Sequence, residues 1–256
     1  MEILPIRTPI LRQGDDIASV LRTHCTLRKD DIVVISSKAL ATVEGATLDL
    51  DTLVPSAEAT MWAERMSEFD IHFVEAILQE TSRLDGSIVG ACPGALLTEL
   101  RPPELSRGTI LIANAGLDRS NSDGHTAVGW PRNAVESTRA LREHLADGSP
   151  LGVILSDSCC QPRRRGVTAV ALVVSGFDPL ASQEGLTDLF GRPLRITTEA
   201  IADQLATAAN AVMGNAAQSV PAAIIRDHGL PLNDWDGWVP GIEPDEDLFK
   251  GILPVR

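Results

Sequence analysis

The chain has 256 residues, of which 44% are hydrophobic, and a formal net charge of -13 at pH 7. This apolar fraction is enough to bury a sizeable core, so we expect one large domain or two interlocked smaller ones rather than a disordered chain. The acidic charge repels polyanions, which argues against nucleic acid and against an anionic membrane surface as partners.

The sequence shows no sign of export or of a membrane span. The first residues do not resemble a secretory signal, and the longest nearly apolar run, residues 167–177, has about half of the roughly 20 residues that cross a bilayer. We interpret it as a buried strand. The cysteines, Cys25, Cys92, Cys159 and Cys160, lack the spacing of a zinc site or a disulfide framework, which favours a reducing cytoplasm.

The first third of the chain predicts one strand and two helices. Residues 31–36, DIVVIS, form a β-branched run that is typical of a buried strand, and the run delivers Ser37 and Lys38 at its end. Residues 56–80 carry apolar side chains at helical spacing, and Asp70 is suited to cap a second helix. We therefore expect two helices with a break between them.

The middle of the chain predicts two more buried strands, at residues 109–113 and 152–156. Small and acidic residues follow each strand directly. Between the strands, the sequence predicts an amphipathic helix that has Pro131 in its first turn and that ends at Gly148.

The last third predicts a helix capped by Thr198 and stopped by Gly214, followed by a strand at residues 222–225. The predicted buried face of that helix consists of Ile201, Leu205, Ala208 and Val212. Because strands and helices do not alternate regularly along the chain, the pattern favours a mixed α+β fold over a doubly wound one.

The segment 227–256 is rich in proline, glycine and acidic residues, yet it contains Trp235 and Trp238. It is either a tail that wraps around the rest of the chain or an arm that contacts a partner. Exposing large aromatic side chains is costly, which favours the wrapping tail. The predicted organisation is therefore a domain at 1–226 followed by a tail at 227–256.

Two aspartates follow predicted buried strands and are candidate metal ligands. Asp118 lies in the segment NAGLDRSN, and Asp157 lies in the segment SDS together with Ser158. Hard divalent ions that handle nucleotide phosphates bind a few oxygen atoms and otherwise keep water or phosphate, so these three side chains suffice for such a site. The alternative is that both aspartates only cap turns, as most aspartates in loops do.

Two further segments have features of ligand contacts. The small, polar loop 214–221 contains Asn215 and Gln218 and can approach a nucleotide closely, although it also fits an ordinary helix-to-strand connection. The adjacent Arg163, Arg164 and Arg165 suit phosphate or carboxylate groups, with a solvated charge run as the alternative.

Six segments, in order along the chain, resemble the coenzyme F420:L-glutamate ligase family: TPILRQGDD, VVISSKALATVEG, IANAGLDRSN, VILSDS, FGRPLRITTEAIADQLATAANAVMG and VPAAIIR. The resemblance covers about residues 1–226. It implies a mixed α+β fold, an intertwined homodimer, GTP as the phosphoryl donor and two divalent ions, Mg²⁺ or Mn²⁺. It also implies that a substrate carboxylate is activated as an acyl phosphate, which the amine of L-glutamate then attacks.

The resemblance assigns roles to individual residues. Asp118 and Asp157 resemble catalytic metal ligands, and Ser158 stands where the family has a threonine ligand. The residues that resemble GTP contacts are Thr8, Pro9, Ile10, Leu11, Ser37, Lys38, Asn121, Gly214, Asn215 and Gln218. Arg163 and Arg164 are the candidate contacts of the acceptor substrate.

The sequence departs from the family pattern in three places. Thr42 stands where the family usually has lysine, Arg107 stands where it has histidine, and the segment from Cys159 to Gln161 differs from the family motif. These changes keep two alternatives open. One is a related ligase that acts on a different small carboxylate, and the other is a non-catalytic binder of a nucleotide or metabolite.

Overall fold

The computed structural model describes residues 1–66, 69–120 and 124–250. The described residues form six α-helices: α1 (Ile17–His24), α2 (Ser37–Val43), α3 (Ala57–Arg65), α4 (Ile71–Arg83), α5 (Ala134–Ala146) and α6 (Ile201–Met213). The strands are β1 (Glu2–Ile6), β2 (Ile32–Ser36), β3 (Thr47–Asp49), β4 (Ser87–Cys92), β5 (Ala95–Leu100), β6 (Ile110–Ala113), β7 (Thr126–Val128), β8 (Gly152–Cys160), β9 (Val167–Ser175), β10 (Ala181–Ser182), β11 (Thr198–Glu199), β12 (Ala222–Arg226) and β13 (Asp236–Trp238).

A six-stranded sheet forms the centre of the molecule, in the order β1-β12-β2-β8-β9-β13. Its strands pair antiparallel except for β2 and β8, which run parallel. A parallel pair needs a long crossover, and here the crossover contains α2 to α5, a three-stranded sheet (β4-β5-β6) and the pair β3-β7. The predicted mixture of helices and mixed sheets is confirmed, whereas the two interlocked subdomains stay a prediction.

Both faces of the central sheet are buried, which explains the continuous apolar run of β2. Val33 and Ile35 face one hydrophobic core, which the crossover helices help to form, and Ile32 and Val34 face a second core that is covered by α6. Side chains alternate between the faces of a strand, so a strand covered on both sides is apolar at every position.

Several local predictions are confirmed. The strands predicted at residues 31–36, 109–113 and 222–225 are β2, β6 and β12, and the apolar run 167–177 forms β9. The break between α3 and α4 is also present, and the Asp70 carboxylate accepts a hydrogen bond from the His72 backbone N–H at 2.9 Å, as a helix cap does.

Three local predictions are wrong. Asp157 does not follow its strand but lies within it, because β8 continues to Cys160 as one arm of a hairpin with β9. Pro131 precedes α5 and its cap Asn133 instead of lying in the first turn. Thr198 belongs to β11, and α6 begins after Ala200 without a side-chain cap.

The predicted buried face of α6 is also displaced. Of its four predicted members only Leu205 is buried, while Ile201 and Val212 are half-buried against the second core. The buried residues of the helix are Ala202, Leu205, Ala206, Ala209 and Met213. The small alanine side chains allow the helix to approach the sheet closely, so close packing rather than residue size decides which face is covered.

The tail segment, residues 227–250 of the described chain, returns to the central sheet. Its strand β13 pairs with β9, and the Trp238 side chain is buried against the first core. Further along, the Glu243 carboxylate accepts a hydrogen bond from the Gly108 backbone N–H at 2.9 Å. The tail thereby connects the edge of the central sheet with the end of the loop that precedes β6. The domain boundary at residue 226 stays a prediction.

Among the described residues, none of the helices combines the length and the apolar character that a membrane span requires.

Candidate active site

A cleft of about 620 Å³ opens at the end of the central sheet where the parallel strands β2 and β8 terminate or leave the core. This volume is in the range of small-molecule sites. Segments from five parts of the chain line the cleft, and they bring together most of the residues that the sequence singled out. The predicted residues that line the cleft are Thr8, Pro9, Ile10, Leu11, Lys38, Asp118, Asp157, Ser158, Gly214 and Asn215.

Lys38 and Asp157 form an ion pair in the cleft. Ser36 and Ser156 are partners in the parallel register of β2 and β8, so the residues that follow them lie side by side. Lys38 lies in the first turn of α2, and its Nζ is 2.9 Å and 3.1 Å from the two carboxylate oxygens of Asp157. The topology therefore explains how two residues far apart in sequence meet.

An irregularity in the β8–β9 hairpin lies directly before Asp157. Leu155 pairs with Val173 but Ser156 pairs with Ala171, so that Leu172 is the extra residue on β9. Such a bulge changes the direction of the side chains that follow it, and bulges are common beside active sites. Here the side chains up to Leu155 belong to the core, while Asp157 faces the cleft.

The Asp157 carboxylate also has two donors other than Lys38. The Trp130 indole Nε1 donates to Oδ2 at 2.6 Å, and the Ser158 backbone N–H donates to Oδ1 at 2.8 Å. A carboxylate has about four lone-pair sites, and these contacts together with the two from Lys38 engage all of them. The orientation of Asp157 is thus fixed by surrounding groups.

A left-handed turn carries the chain from β6 toward Asp118. Asn114, Ala115 and Gly116 all have positive φ angles, of 54°, 52° and 73°. This conformation is unfavourable for Ala115, and the turn is held by hydrogen bonds from the Leu96 N–H to Asn114 Oδ1 and from the Ala115 N–H to Thr98 Oγ1. The turn directs the Gly116 carbonyl at Lys38 Nζ, 2.7 Å away.

Asp118 follows this turn in the chain. Its backbone pairs with Val128 through two hydrogen bonds, of 3.0 Å and 2.8 Å. Its carboxylate accepts hydrogen bonds from the N–H of Ser120, at 2.7 Å, and from the Ser120 hydroxyl. Asp118 therefore stabilises its own turn and also lines the cleft.

Two further segments line the cleft and are tied to their neighbours by hydrogen bonds. The Ser158 hydroxyl donates to Asn215 Oδ1 at 2.9 Å, which ties the end of α6 to β8. The Thr8 N–H donates to the Ser219 carbonyl at 3.1 Å, so the segment 8–11 lies against the loop 214–221. Gly214 ends α6 with a φ of 73°, and a side chain there would collide with Gln218.

Some predicted residues do not line the cleft. Ser37 is fully buried, and the Gln218 amide oxygen accepts a hydrogen bond from the Ala216 N–H at 2.7 Å. Arg163 and Arg164 lie at the exposed tip of the β8–β9 hairpin. Asn121 lies outside the described residues. The GTP and substrate roles of these residues stay predictions.

The departures from the family pattern have different locations. Thr42 lines the cleft, so the missing lysine concerns the site itself. Arg107 lies away from the cleft lining and forms an ion pair with Glu246 of the tail segment. Cys159 lines the cleft, but burial raises the pKa of its thiol, which keeps it protonated and unreactive at neutral pH.

The donors in the cleft fit a hard cation held by few protein ligands. No group of three or more His, Cys, Asp or Glu residues comes together as a metal cluster in the part of the chain that the structure describes. The donors that line the cleft are instead carboxylates and hydroxyls, from Asp118, Asp157, Ser120 and Ser158. Mg²⁺ and Mn²⁺ accept oxygen atoms of this kind and complete their coordination with water or phosphate.

Sequence reasoning missed Trp130, the buried partner of Asp157. The available signal was weak: Trp130 is one of four tryptophans, it follows a glycine, and it precedes the proline that was assigned to a helix. A buried indole N–H needs an acceptor, but the sequence does not identify Asp157, 27 positions later, as that acceptor.

The fold and the cleft together define a mixed α/β protein with a small-molecule-sized cleft that is lined by carboxylates, hydroxyls and a lysine. The model of the family described as "F420-0:Gamma-glutamyl ligase" matches residues 5–227, and the chain belongs to this family.

Several curated relatives are similar over nearly their full length, and each is named coenzyme F420:L-glutamate ligase. The protein of Methanopyrus kandleri is 35% identical, over 100% of this chain and 92% of the relative. That of Methanocaldococcus jannaschii is 33% identical, over 98% and 97%. That of Methanothermobacter thermautotrophicus is 37% identical, over 95% and 96%.

Proposed function

We propose that this chain is a GTP-dependent ligase that forms an amide bond between L-glutamate and the carboxylate of F420-0. One observation carries the proposal: a chain similar over its full length to coenzyme F420:L-glutamate ligases has Lys38, Asp118 and Asp157 around one cleft. In this proposal, the addition of one glutamate to F420-0 consumes one GTP.

The proposed reaction has two steps. A carboxylate oxygen of the acceptor attacks the γ-phosphorus of GTP, the bond to the β,γ-bridging oxygen breaks, and GDP leaves. The amine of glutamate then attacks the acyl carbon of the resulting acyl phosphate, inorganic phosphate leaves, and the nitrogen loses a proton. Both steps move negative charge on phosphate oxygens, which cations in a cleft stabilise.

The residues of the cleft have distinct parts in this proposal. Asp118, Asp157 and Ser158 hold two divalent ions, Mg²⁺ or Mn²⁺, which would neutralise phosphate charge. The Lys38 ammonium, whose side chain is 22% exposed, is close enough to Asp157 to share that carboxylate between itself and a cation. The segment 8–11, Gly214 and Asn215 enclose the nucleotide.

The decisive experiment mixes the purified chain with GTP, MgCl₂ or MnCl₂, L-glutamate and F420-0. We expect GDP release together with a product heavier by one glutamyl group, detected by mass spectrometry. Omission of glutamate is the control, because it must abolish the heavier product. GTP binding without product under all these conditions contradicts the proposal and favours a non-catalytic binder.

A second candidate is a ligase for a different small carboxylate. It is favoured by the altered segment after Asp157, where Cys159 and Cys160 line the cleft. A screen of carboxylates and amines distinguishes the two, because this candidate requires GTP turnover with another acceptor and none with F420-0.

We assign the reaction to the cytoplasm, consistent with four cysteines that are all free thiols.

We also propose that the chain acts as a homodimer, with the arm of residues 181–199 as its contact. This arm contains β10 and β11 and exposes Leu186, Leu189, Phe190 and Ile196. Such a cluster of exposed apolar side chains marks an interaction surface. Sedimentation should show a dimer that Phe190→Asp dissociates, whereas Val54→Asp, at an exposed apolar position outside the arm, should not. A monomeric wild-type chain contradicts this assignment.

A further inference from the structure

We propose that Trp130 is the positioning residue that orients the Asp157 carboxylate, and that Trp238 of the tail segment holds Trp130 in place. The inference rests on the proposed function, because it gives Asp157 the part of a metal ligand. It adds two residues from outside the cleft lining, one of them from the C-terminal tail.

The contact between Trp130 and Asp157 is short and enclosed. The Trp130 side chain is 1% exposed, and its Nε1 donates to Asp157 Oδ2 at 2.6 Å. An indole has one donor and no acceptor. A buried tryptophan therefore either donates to an acceptor or destabilises the fold by the full cost of desolvating its N–H. Trp130 is consequently bound to one carboxylate oxygen in a fixed direction.

Gly116 shows how closely the indole ring is held. A Cβ atom placed on Gly116 would lie 2.5 Å from both Cε2 and Nε1 of Trp130, so the ring lies directly against the backbone of the left-handed turn. The carbonyl of the same glycine accepts the hydrogen bond from Lys38 Nζ. The turn, the indole and the ammonium therefore pack as one unit around Asp157.

Trp238 supports the other side of Trp130. The two ring centroids are 5.7 Å apart with an interplanar angle of 49°, and both side chains are buried. Trp238 is fixed by the pairing of β13 with β9, where its partner is Val173. Val173 is in turn the β-partner of Leu155, two residues before Asp157. The tail thus supports both the strand that carries Asp157 and the ring that orients it.

Lys38 and Trp130 contribute differently to the orientation of Asp157. Lys38 reaches the carboxylate from a long, flexible side chain that is partly exposed in the cleft, whereas Trp130 is buried and has only two side-chain torsions. The rigid donor sets which way the carboxylate faces. Removal of such an orienting partner typically lowers metal affinity or activity about 10- to 100-fold.

The test is Mn²⁺ binding by Trp130→Phe, which keeps an aromatic ring and removes the N–H. Binding is measured in the presence of GTP by electron paramagnetic resonance of free Mn²⁺, and kcat and KM are measured in parallel. We expect Mn²⁺ affinity and kcat to fall about 10- to 100-fold. The matched control is Trp62→Phe, because the buried Nε1 of Trp62 has no hydrogen-bond partner among the described residues. Equal Mn²⁺ affinity in the two variants overturns the proposal.

Trp238→Leu is the second variant, since it leaves the indole N–H of Trp130 in place and decides the case if Trp130→Phe does not fold. We expect a smaller loss of Mn²⁺ affinity, with thermal unfolding retained. Wild-type affinity in a folded Trp238→Leu chain overturns the part assigned to Trp238, and overturns the whole if Trp130→Phe is unfolded.

The outcomes also separate this inference from the proposed function. A wild-type chain that binds Mn²⁺ without forming product, together with a weakened Trp130→Phe, overturns the ligase and keeps the positioning role. A wild-type chain that forms product while Trp130→Phe binds Mn²⁺ normally does the reverse. Absence of Mn²⁺ binding by the wild-type chain with GTP overturns the positioning role together with the metal assignment.

Discussion

Two ion pairs lie at opposite ends of β2, and their surroundings differ. Before the strand, the Arg226 guanidinium binds the two oxygens of Asp31 at 2.8 Å and 2.7 Å, with side-chain exposures of 9% and 1%. After the strand, Lys38 binds Asp157, with exposures of 22% and 8%, at the border of the cleft. The Arg226–Asp31 pair is therefore closed to solvent, whereas the Lys38–Asp157 pair is open to the cleft.

This difference indicates that the Arg226–Asp31 pair has a structural role and that the Lys38–Asp157 pair has a chemical one. The planar guanidinium of Arg226 donates to both carboxylate oxygens of Asp31. Its Nη2 also donates to the Thr26 carbonyl at 3.0 Å. The structural role of this pair does not require access by a ligand. Lys38 is a flexible point charge beside a cavity, and an ammonium of that kind can exchange partners when a ligand arrives.

The largest effect is expected at the open pair. Asp157→Asn replaces a charged ligand by a neutral amide, which binds a hard dication poorly. We expect the rate of product formation to fall by more than about 100-fold while the chain remains folded. Steady-state kinetics and circular dichroism check this. Wild-type turnover in Asp157→Asn would remove Asp157 from the metal site.

The closed pair should show the opposite pattern. Arg226→Met leaves the Asp31 carboxylate buried without its cation, and breaking a buried pair in this way costs about 3–5 kcal/mol. Denaturant unfolding should therefore show a large loss of stability, with kcat per folded molecule unchanged. A stable Arg226→Met chain with reduced kcat would contradict the structural role of this end of β2.

A third carboxylate, Asp203 in α6, sharpens the comparison because its interaction is with a backbone N–H. Its side chain accepts a hydrogen bond from the Ala171 N–H at 2.9 Å, and burial raises the pKa of the carboxyl. The folded state thus binds a proton at Asp203 more tightly than the unfolded state does. Its contribution to stability is present below the unfolded-state pKa of about 3.9 and is lost as the pH rises through the folded-state pKa.

Asp203→Asn should therefore have the smallest effect, and of opposite sign. The asparagine oxygen can still accept from Ala171 but carries no charge, so we expect unchanged or slightly higher stability at pH 7. As the pH rises from acidic to neutral, the free energy of unfolding should also decrease less in the variant than in the wild-type chain, because Asp203 no longer titrates. Thermal unfolding across the acidic to neutral range checks both statements. A clear loss of stability at pH 7 would contradict the assigned cost of burial.

The sequence predicted the individual strands better than the positions around them. The β-branched run of β2 and the apolar run of β9 have strong local signals because both faces of the sheet are buried. The extension of β8 beyond Ser156 had no such signal, because its polar residues are compatible with a loop as well as with a hairpin strand. The cap of α6 failed for a similar reason, since Thr198 satisfies its backbone by pairing with Ser182.

The same limit applies to the candidate site. The segments that carry Lys38, Asp118 and Asp157 were found because each follows or continues a buried strand, and ordered polar groups at such places are typical of sites. The partner Trp130 was missed, because a hydrogen bond across 27 residues depends on how β8 is bent and on where the left-handed turn lies. The positions of Arg163 and Arg164 at an exposed hairpin tip also follow from the register of β8 and β9.

The sequence by itself determined the apolar segments of the central sheet, the break between α3 and α4, and the family. These depend on residue types and short spacings, which act within a few positions along the chain. Only the tertiary structure decided that Lys38 contacts Asp157, that the tail places Trp238 against Trp130, and that Arg107 faces the tail rather than the cleft. The reason is that these contacts result from strand order and register, which depend on the packing of the whole chain.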